Sequence, residues 1–206
     1  MKIGILGSSF NPPHKGHLEI SNRALATFSL NEVWWLITKV NPLKNSSDYI
    51  PLNERKNKID EIIENRNIKF KYYEEETNSN YLIDNLKYIK EKFSKDTFIF
   101  LMGSDSLNEM HEWKEYQSIF KQIPIAVFNR QDSEYQSLNS KAAKAFEKYR
   151  IDDLSKSSIF KEGPSWTFIQ DFDENISNQD LVKNLRTLTY SLDPDLPPDP
   201  PLGMEL

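Results

Sequence analysis

Residues 2–17 read KIGILGSSFNPPHKGH, and this stretch decides the fold of the chain. Its first part, Lys2–Leu6, is a short apolar run that Gly7 ends, which is typical of a buried strand. A loop of small residues and two prolines follows, and helical spacing of apolar residues begins at about His17. The order of strand, tight loop and helix predicts the start of a β-α-β unit.

The same alternation of strands and helices continues along most of the chain. Strands are predicted at Lys2–Leu6, Val33–Ile37, Ile68–Tyr73, Thr97–Met102, Pro124–Phe128 and Trp166–Ile169. Helices are predicted between them, from about residue 17 to 28 and then over 52–63, 82–93, 113–120, 138–149 and 181–192. This alternation predicts an α/β fold, a parallel sheet with helices on both faces. Ligands of such sheets bind at the carboxyl ends of the strands, where the strand order reverses.

We expect one α/β domain over residues 1–192, with a small helical part at its C-terminal end. Residues 193–206 read DPDLPPDPPLGMEL, and the prolines of this tail prevent both a helix and a strand ladder. The tail is predicted to be extended or disordered. The alternative is that it lies across its own domain or a partner.

The loop after the first strand has the composition of an anion-binding site. Gly7 permits a tight turn, and Ser8 and Ser9 add backbone N–H groups and hydroxyl donors. His14 and His17 lie one helical turn apart, so both rings can face one point beside the helix N-terminus. Free amides and the positive end of the helix dipole attract anions there. The pattern predicts a phosphate site; the alternative is a proline-rich connection with incidental histidines.

Other phosphate and metal signatures are missing from the sequence. It contains neither the P-loop pattern G-x-x-x-x-G-K-[ST] nor the dinucleotide fingerprint G-x-G-x-x-G. Two histidines without a third ligand nearby make a poor zinc site, and the chain has no cysteine for a thiolate site or a disulfide. We therefore predict no metal site built from side chains alone.

Composition and charge also exclude some classes of function. The chain has 206 residues and a net charge of −5 with both signs interspersed, which argues against a general nucleic-acid binder. No apolar run is long enough to span a bilayer, and the N-terminus lacks the pattern of a signal peptide. We therefore expect a cytoplasmic protein that binds small molecules and neither nucleic acid nor membrane. The sequence does not indicate an oligomeric state.

Four segments resemble the bacterial nicotinate-nucleotide adenylyltransferase family, whose superfamily is marked by (H/T)-x-G-H after the first strand. Residues 7–17, GSSFNPPHKGH, resemble its opening pattern G-G-S-F-[DN]-P-x-H-x-G-H. Residues 41–44, NPLK, resemble its P-x-x-P-x-K stretch, and residues 102–113, MGSDSLNEMHEW, resemble G-x-D-S-L-x-x-x-x-x-W. Residues 124–130, PIAVFNR, resemble the next strand with its terminal arginine.

The resemblance implies a Rossmann-like, doubly wound sheet with strand order 3-2-1-4-5. It implies an enzyme of NAD biosynthesis that transfers AMP from ATP to nicotinate mononucleotide and releases deamido-NAD and pyrophosphate. Magnesium would accompany the triphosphate. The mononucleotide phosphate would attack the α-phosphorus in line, without a covalent enzyme intermediate.

The resemblance also assigns roles to residues of this chain. Catalysis is assigned to His14 and His17, which would stabilise charge on the α- and β-phosphates. ATP binding is assigned to Gly7, Ser8, Ser9, Phe10, His14, His17, Lys44, Gly103, Asp105, Ser177 and Arg186. Acceptor binding is assigned to Asn11, Tyr81, Trp113 and Arg130, with Trp113 stacking on the pyridine ring.

Several of these residues have an alternative, structural interpretation. Asp105 also suits the cap of the helix that follows it. Trp113 also suits the core, and Lys44 suits a solvated loop. The pair Trp34–Trp35 is predicted to be structural, with one ring on each face of its strand.

The chain departs from the family pattern at three places. Ser8 replaces the second glycine of the opening motif, which keeps the amide but restricts positive φ. Leu82 replaces a threonine that helps to read the nicotinate carboxylate, so the preference for acid over amide is left open. Val182 replaces an arginine of the last motif, and Arg186, one turn later, and Lys183 are the candidates to compensate.

Two other functions are left open by these departures. One is a related transferase that uses another phosphorylated acceptor, such as phosphopantetheine, or CTP as donor. The other is a nucleotide-binding protein with weak or no turnover, which the altered last motif favours.

Overall fold

The structure, a computed structural model, describes residues 1–43, 49–129, 134–153 and 163–170. Within these ranges the strands are β1 (Lys2–Ser8), β2 (Glu32–Ile37), β3 (Ile68–Lys71), β4 (Thr97–Gly103), β5 (Ile125–Phe128) and β6 (Trp166–Ile169). The helices are α1 (Lys15–Phe28), α2 (Leu52–Ile62), α3 (Glu74–Thr77), α4 (Leu82–Lys92), α5 (Ser104–Glu109), α6 (Tyr116–Gln122), α7 (Glu134–Leu138) and α8 (Lys141–Ala145). Short 3₁₀ helices lie at Met110–Glu112 and Glu147–Tyr149.

All strands join one parallel sheet in the order β3-β2-β1-β4-β5-β6. The predicted α/β fold and the order 3-2-1-4-5 are confirmed, and β6 extends the sheet beyond β5. The central strands are continuous apolar runs because helices cover both faces of a parallel sheet. The order reverses between β1 and β4, so the crevice for a ligand opens at the carboxyl ends of these two strands.

The pair Trp34–Trp35 on β2 fixes the two faces of the sheet. Trp34 is 3% exposed and packs edge-on against Phe93, with ring centroids 4.9 Å apart. Trp35 is fully buried on the other face, where its Nε1 donates to Ser21 Oγ over 2.7 Å. The predicted structural role, with one ring on each side, is confirmed.

The single helix predicted over 138–149 is wrong. The chain forms α7, α8 and a 3₁₀ turn instead. Ser140 interrupts the helical pattern, because its backbone is extended and its Oγ accepts a hydrogen bond from the Ala143 N–H at 3.2 Å. A serine in this conformation is an N-cap, so it begins a new helix rather than continuing the previous one.

Some predictions fall outside the described residues. These are the helix over 181–192, the domain boundary at residue 192 and the tail over 193–206. The site residues Lys44, Arg130, Ser177 and Arg186 also lie outside them.

Candidate active site

The loop of residues 9–14, here called the anion loop, leaves the carboxyl end of β1 and leads into α1. The strand is tightly packed just before the loop, because a Cβ on Gly7 would lie 3.0 Å from the ring of Phe100. Phe10 then takes a left-handed conformation with φ of 46°. Such a conformation costs about 1–2 kcal/mol for a residue other than glycine. Burial of the whole Phe10 ring, which stacks on Trp35 at 4.6 Å, offsets that cost.

The two histidines of the motif lie together at the first turn of α1. His14 is the extended N-cap residue, and its backbone N–H donates to Nδ1 of His17 over 3.2 Å. The ring centroids are 3.9 Å apart. His17 is 7% exposed and packs against Phe10 at 4.7 Å, whereas His14 is exposed. The two histidines of the sequence motif therefore form a pair at the end of the anion loop, with the His17 imidazole buried and the His14 imidazole exposed.

The contacts of His17 determine which ring nitrogen carries the proton. A backbone N–H can only donate, so Nδ1, which receives the bond from His14, has no proton in the neutral ring. The proton is then on Nε2, which lies 3.2 Å from Ser8 Oγ. The hydroxyl of Ser8 also accepts from the Phe10 N–H over 3.3 Å. An imidazole N–H and a loop amide thus meet at one oxygen at the end of β1.

Arg55 on α2 fixes the anion loop by hydrogen bonds to backbone carbonyl oxygens. Its side chain is almost completely buried, with 1% of the residue exposed. The guanidinium donates to the carbonyl oxygens of Ser9, Thr38, Lys39 and Ile50, at distances of 2.5 to 2.9 Å. Burial lowers the pKa of Arg55 from its usual value, although a guanidinium stays charged at neutral pH. One cation therefore ties the anion loop to the end of β2 and to the start of α2.

A cavity opens beside the anion loop, on the side of β2, α4 and the segment after α5. Its lining includes Gly7, Ser8, Thr38, Tyr81, Asn85 and Trp113. Trp113 is partly buried, and its ring meets Phe100 edge-on with centroids 6.3 Å apart. The indole is therefore neither a core side chain nor a surface one, because part of it forms a wall of the cavity.

An ion pair joins α4 to the segment that carries Trp113. Asp84 Oδ2 accepts from Lys114 Nζ at 3.1 Å and from Ser79 Oγ at 2.7 Å. The hydrogen bond from Ser79 and the charge of Lys114 lower the pKa of Asp84. The Lys114 ammonium also lies 4.3 Å from the ring centroid of Tyr81. Tyr81 and Trp113 are thus held at the same mouth of the cavity.

The comparisons with known proteins agree with this architecture. Residues 5–197 match the cytidylyltransferase-like family. A probable nicotinate-nucleotide adenylyltransferase of Bradyrhizobium sp. (strain ORS 278) is 34% identical over 182 residues, which are 88% of this chain and 95% of that relative. The chain belongs to the nicotinate-nucleotide adenylyltransferase family. The resemblance seen in the four sequence segments is therefore confirmed.

Other relatives of this adenylyltransferase family extend the match. A probable nicotinate-nucleotide adenylyltransferase of Agrobacterium fabrum is 34% identical over 185 residues, covering 89% of this chain and 99% of the relative. The structure of Plasmodium falciparum nicotinic acid mononucleotide adenylyltransferase complexed with NaAD superimposes with a TM-score of 0.62 at 21% identity. That match covers 90% of this chain and 81% of the other, and at this identity it shows the shared fold.

Membership of an adenylyltransferase family implies a divalent metal ion that accompanies ATP. In the part of the chain that the structure describes, no helix is long and apolar enough to cross a membrane.

Gly103 and Asp105, which the resemblance assigned to ATP binding, are not among the residues that line the cavity. Gly103 is buried at the end of β4 and is the N-cap residue of α5. Asp105 is exposed in the first turn of α5, so the alternative prediction that it caps this helix is wrong. Gly103 is the N-cap, so the helix begins at Ser104, two residues earlier than a cap at Asp105 would require. Asn11 holds the anion loop in place, since its Oδ1 accepts from the Ile50 N–H at 2.9 Å.

Glu74 at the start of α3 is a cavity residue that the sequence did not indicate. Its Oε1 accepts from Thr38 Oγ1 at 2.5 Å and from the Lys39 N–H at 3.1 Å. Burial raises the pKa of Glu74 above its usual value, and the hydrogen bonds only partly counter this. The folded protein therefore holds a proton on this carboxyl at a higher pH than the unfolded chain does.

Replacing Glu74 with glutamine is expected to stabilise the protein near pH 8, because the amide avoids the cost of burying a charge and still accepts both hydrogen bonds. The gain in stability should disappear as pH falls below the usual carboxyl pKa of 4.5, because Glu74 is then protonated in both the folded and the unfolded protein. Urea midpoints between pH 4 and pH 8 measure it. Glu75→Gln is the matched control, because Glu75 lies on the same helix with an exposed side chain.

Proposed function

We propose that this chain catalyses transfer of AMP from ATP to nicotinate mononucleotide, forming deamido-NAD and pyrophosphate. The observation that carries the proposal is the arrangement at the carboxyl ends of β1 and β4. An anion loop with two adjacent imidazoles lies directly beside a cavity walled by an indole. The anion loop and its imidazoles suit a triphosphate, and the cavity with its indole wall suits a flat pyridine ring.

In the proposed reaction, a phosphate oxygen of nicotinate mononucleotide forms a bond to the α-phosphorus of ATP. The bond from the α-phosphorus to the oxygen that bridges to the β-phosphorus breaks, and pyrophosphate leaves with that electron pair. The protein forms no covalent bond. Its contribution is to place the two substrates in line and to stabilise negative charge as it moves to the leaving group.

The stabilising groups in this proposal are the imidazoles and the loop amides. His17 Nε2–H and the Phe10 N–H already point at one position, so little rearrangement is needed when a phosphate oxygen takes that place. His14 is exposed beside them and contributes a third donor to the phosphates. Gly7, Ser8 and Ser9 form the end of β1 and the start of the loop on which these phosphates rest.

The divalent ion is proposed to be Mg²⁺. The described residues contain no group of three or more histidine, aspartate or glutamate side chains placed to hold a metal ion. Magnesium is commonly held by substrate phosphates and retained waters rather than by an all-protein cage, which fits this donor set. When bound, it would neutralise part of the triphosphate charge. We also propose that the protein works in the cytoplasm.

Trp113 is proposed to stack on the pyridine ring of the acceptor. Replacing it with alanine is expected to raise KM for nicotinate mononucleotide about 10-fold or more, since a ring stacked on an aromatic side chain contributes about 1–3 kcal/mol. KM for ATP should change little. Trp113→Phe keeps a flat ring and should retain most of the affinity. Initial rates at varied acceptor concentration measure the effect; a fall in Tm with unchanged KM would place Trp113 in the core only.

A coupled pyrophosphate assay tests the proposed function. Wild-type protein is mixed with Mg²⁺ and either ATP or CTP, together with nicotinate mononucleotide, nicotinamide mononucleotide or phosphopantetheine. Release of pyrophosphate with ATP and nicotinate mononucleotide, at a kcat/KM well above the other pairs, is the expected result. Turnover with a different pair would replace the substrate assignment. ATP binding without turnover of any pair would contradict an enzymatic role.

A further inference from the structure

We propose that the hydroxyl of Ser8 is an internal ligand of the phosphate site, which the triphosphate of ATP must displace. The inference rests on the proposed function, because it takes the donors above the anion loop to be phosphate donors. It assigns a specific energetic role to a side chain that would otherwise contribute only its backbone.

The geometry around Ser8 Oγ supports this assignment. The oxygen lies 3.2 Å from Nε2 of His17 and 3.3 Å from the backbone nitrogen of Phe10. Both partners donate, since Nδ1 of His17 is occupied by the His14 N–H and a backbone N–H has no acceptor function. Two donors from different elements therefore converge on one oxygen, as they would on an oxygen of a phosphate group.

The two donors are held rigidly, whereas the acceptor can move. His17 is 7% exposed as a residue and its ring is fixed through Nδ1, and Phe10 is fully buried. Arg55 holds the carbonyl of Ser9. In a trans peptide the N–H points away from the carbonyl of the same unit, so this contact also aims the Phe10 N–H. The Ser8 hydroxyl, by contrast, changes place by rotation about a single bond.

Displacement is also sterically open to Ser8. The residue is only partly buried and lines the cavity, so a rotated hydroxyl has space on that side. The donors would keep their positions and exchange the serine oxygen for a phosphate oxygen. The opening pattern of the family has glycine here, so the internal ligand is a property of this chain.

The expected consequence is weaker binding of ATP without a matching loss of catalysis. In the free protein, the Ser8 hydroxyl oxygen accepts the hydrogen bonds of His17 Nε2–H and of the Phe10 N–H. ATP binds only when its phosphate oxygen displaces the hydroxyl from these two donors. Replacing Ser8 with alanine is therefore expected to lower Kd for ATP and for inorganic pyrophosphate about fivefold, the scale of one exchanged hydrogen bond. The change should appear in KM for ATP rather than in kcat.

The experiment measures Kd for ATP and for inorganic pyrophosphate by calorimetry, together with kcat and KM, for wild type, Ser8→Ala and Ser8→Thr. Threonine keeps the hydroxyl and should return Kd to the wild-type value. Ser94→Ala, an exposed serine between α4 and β4, is the matched control. Melting curves identify any variant whose binding change reflects unfolding.

Two results for Ser8→Ala would overturn the proposal. A kcat that falls tenfold or more in Ser8→Ala with unchanged KM would overturn the proposal, because the hydroxyl would then act as a donor to the bound phosphates. Equal Kd values for wild type and Ser8→Ala would overturn it as well. If wild type releases no pyrophosphate with any substrate pair while Ser8→Ala binds pyrophosphate more tightly, the proposed function fails and the internal ligand stands.

Discussion

Replacing His17 with asparagine is expected to lower kcat about 10²- to 10³-fold while the fold and the anion loop remain in place. The asparagine Oδ1 occupies the position of Nδ1 and still accepts the hydrogen bond from the His14 N–H. The variant lacks the N–H at the Nε2 position, which is the group proposed to stabilise the phosphates, and the outer ring atoms that pack near Phe10. Single-turnover rates at saturating ATP and nicotinate mononucleotide measure the loss.

His17→Gln is the matched variant, because its amide nitrogen reaches the region of Nε2 and retains part of the donor function. Its kcat is expected to lie between those of wild type and His17→Asn. His17→Ala should lose turnover by orders of magnitude and also some stability, because a nearly buried ring is removed from its contact with Phe10. Near-normal turnover of a folded His17→Asn protein would remove the catalytic role.

Replacing Arg55 with methionine is expected to destabilise the protein by about 3–5 kcal/mol, a fall in Tm of roughly 10 °C for a domain of this size. Methionine fills much of the same volume but donates no hydrogen bond. The carbonyls of Ser9, Thr38, Lys39 and Ile50 would then be left without the donor that the buried guanidinium supplies. Leaving such groups buried and unpaired is the main cost.

Arg55→Met should also lower turnover in whatever fraction remains folded, since the anion loop loses the contact that aims the Phe10 N–H. Urea unfolding gives the stability, and kcat measured at low temperature gives the effect on the site. The matched control is Arg66→Met, because Arg66 is exposed between α2 and β3 and should change Tm by little. A stability loss below about 1 kcal/mol would mean that water replaces the guanidinium at these carbonyls.

The parts of the site that follow from local spacing could be predicted from the sequence. The interval between His14 and His17 predicts that both rings meet at the start of a helix, and they do so with His14 as the N-cap residue of α1. The apolar run that ends at Gly7 locates this turn at the edge of the sheet. The two rings indeed lie 3.9 Å apart.

The parts that depend on distant segments could not be predicted. Arg55 occupies a position in the apolar stripe of α2, next to Leu52 and Ile59, and an arginine in such a stripe was a usable signal. Nothing local, however, identified the four carbonyls that it binds, because they come from three separate segments. The same holds for Glu74, which reaches the cavity only because the ends of β2 and β3 lie side by side.

The parallel pairing of β1 with β4 has a consequence for the order of folding. Ile3 pairs with Glu32 after a single crossover helix, whereas Lys2 pairs with Thr97 only after the four helices α1 to α4 have been synthesised. A nascent chain that ends before β4 therefore contains both histidines and Tyr81 but lacks Trp113, the indole proposed to bind the acceptor. Closing the longer loop between β1 and β4 also costs more conformational entropy than closing the loop between β1 and β2. The cavity is complete only after β4 and the segment that carries Trp113 have joined β1, so substrates should slow unfolding of the finished domain without accelerating its first steps of assembly.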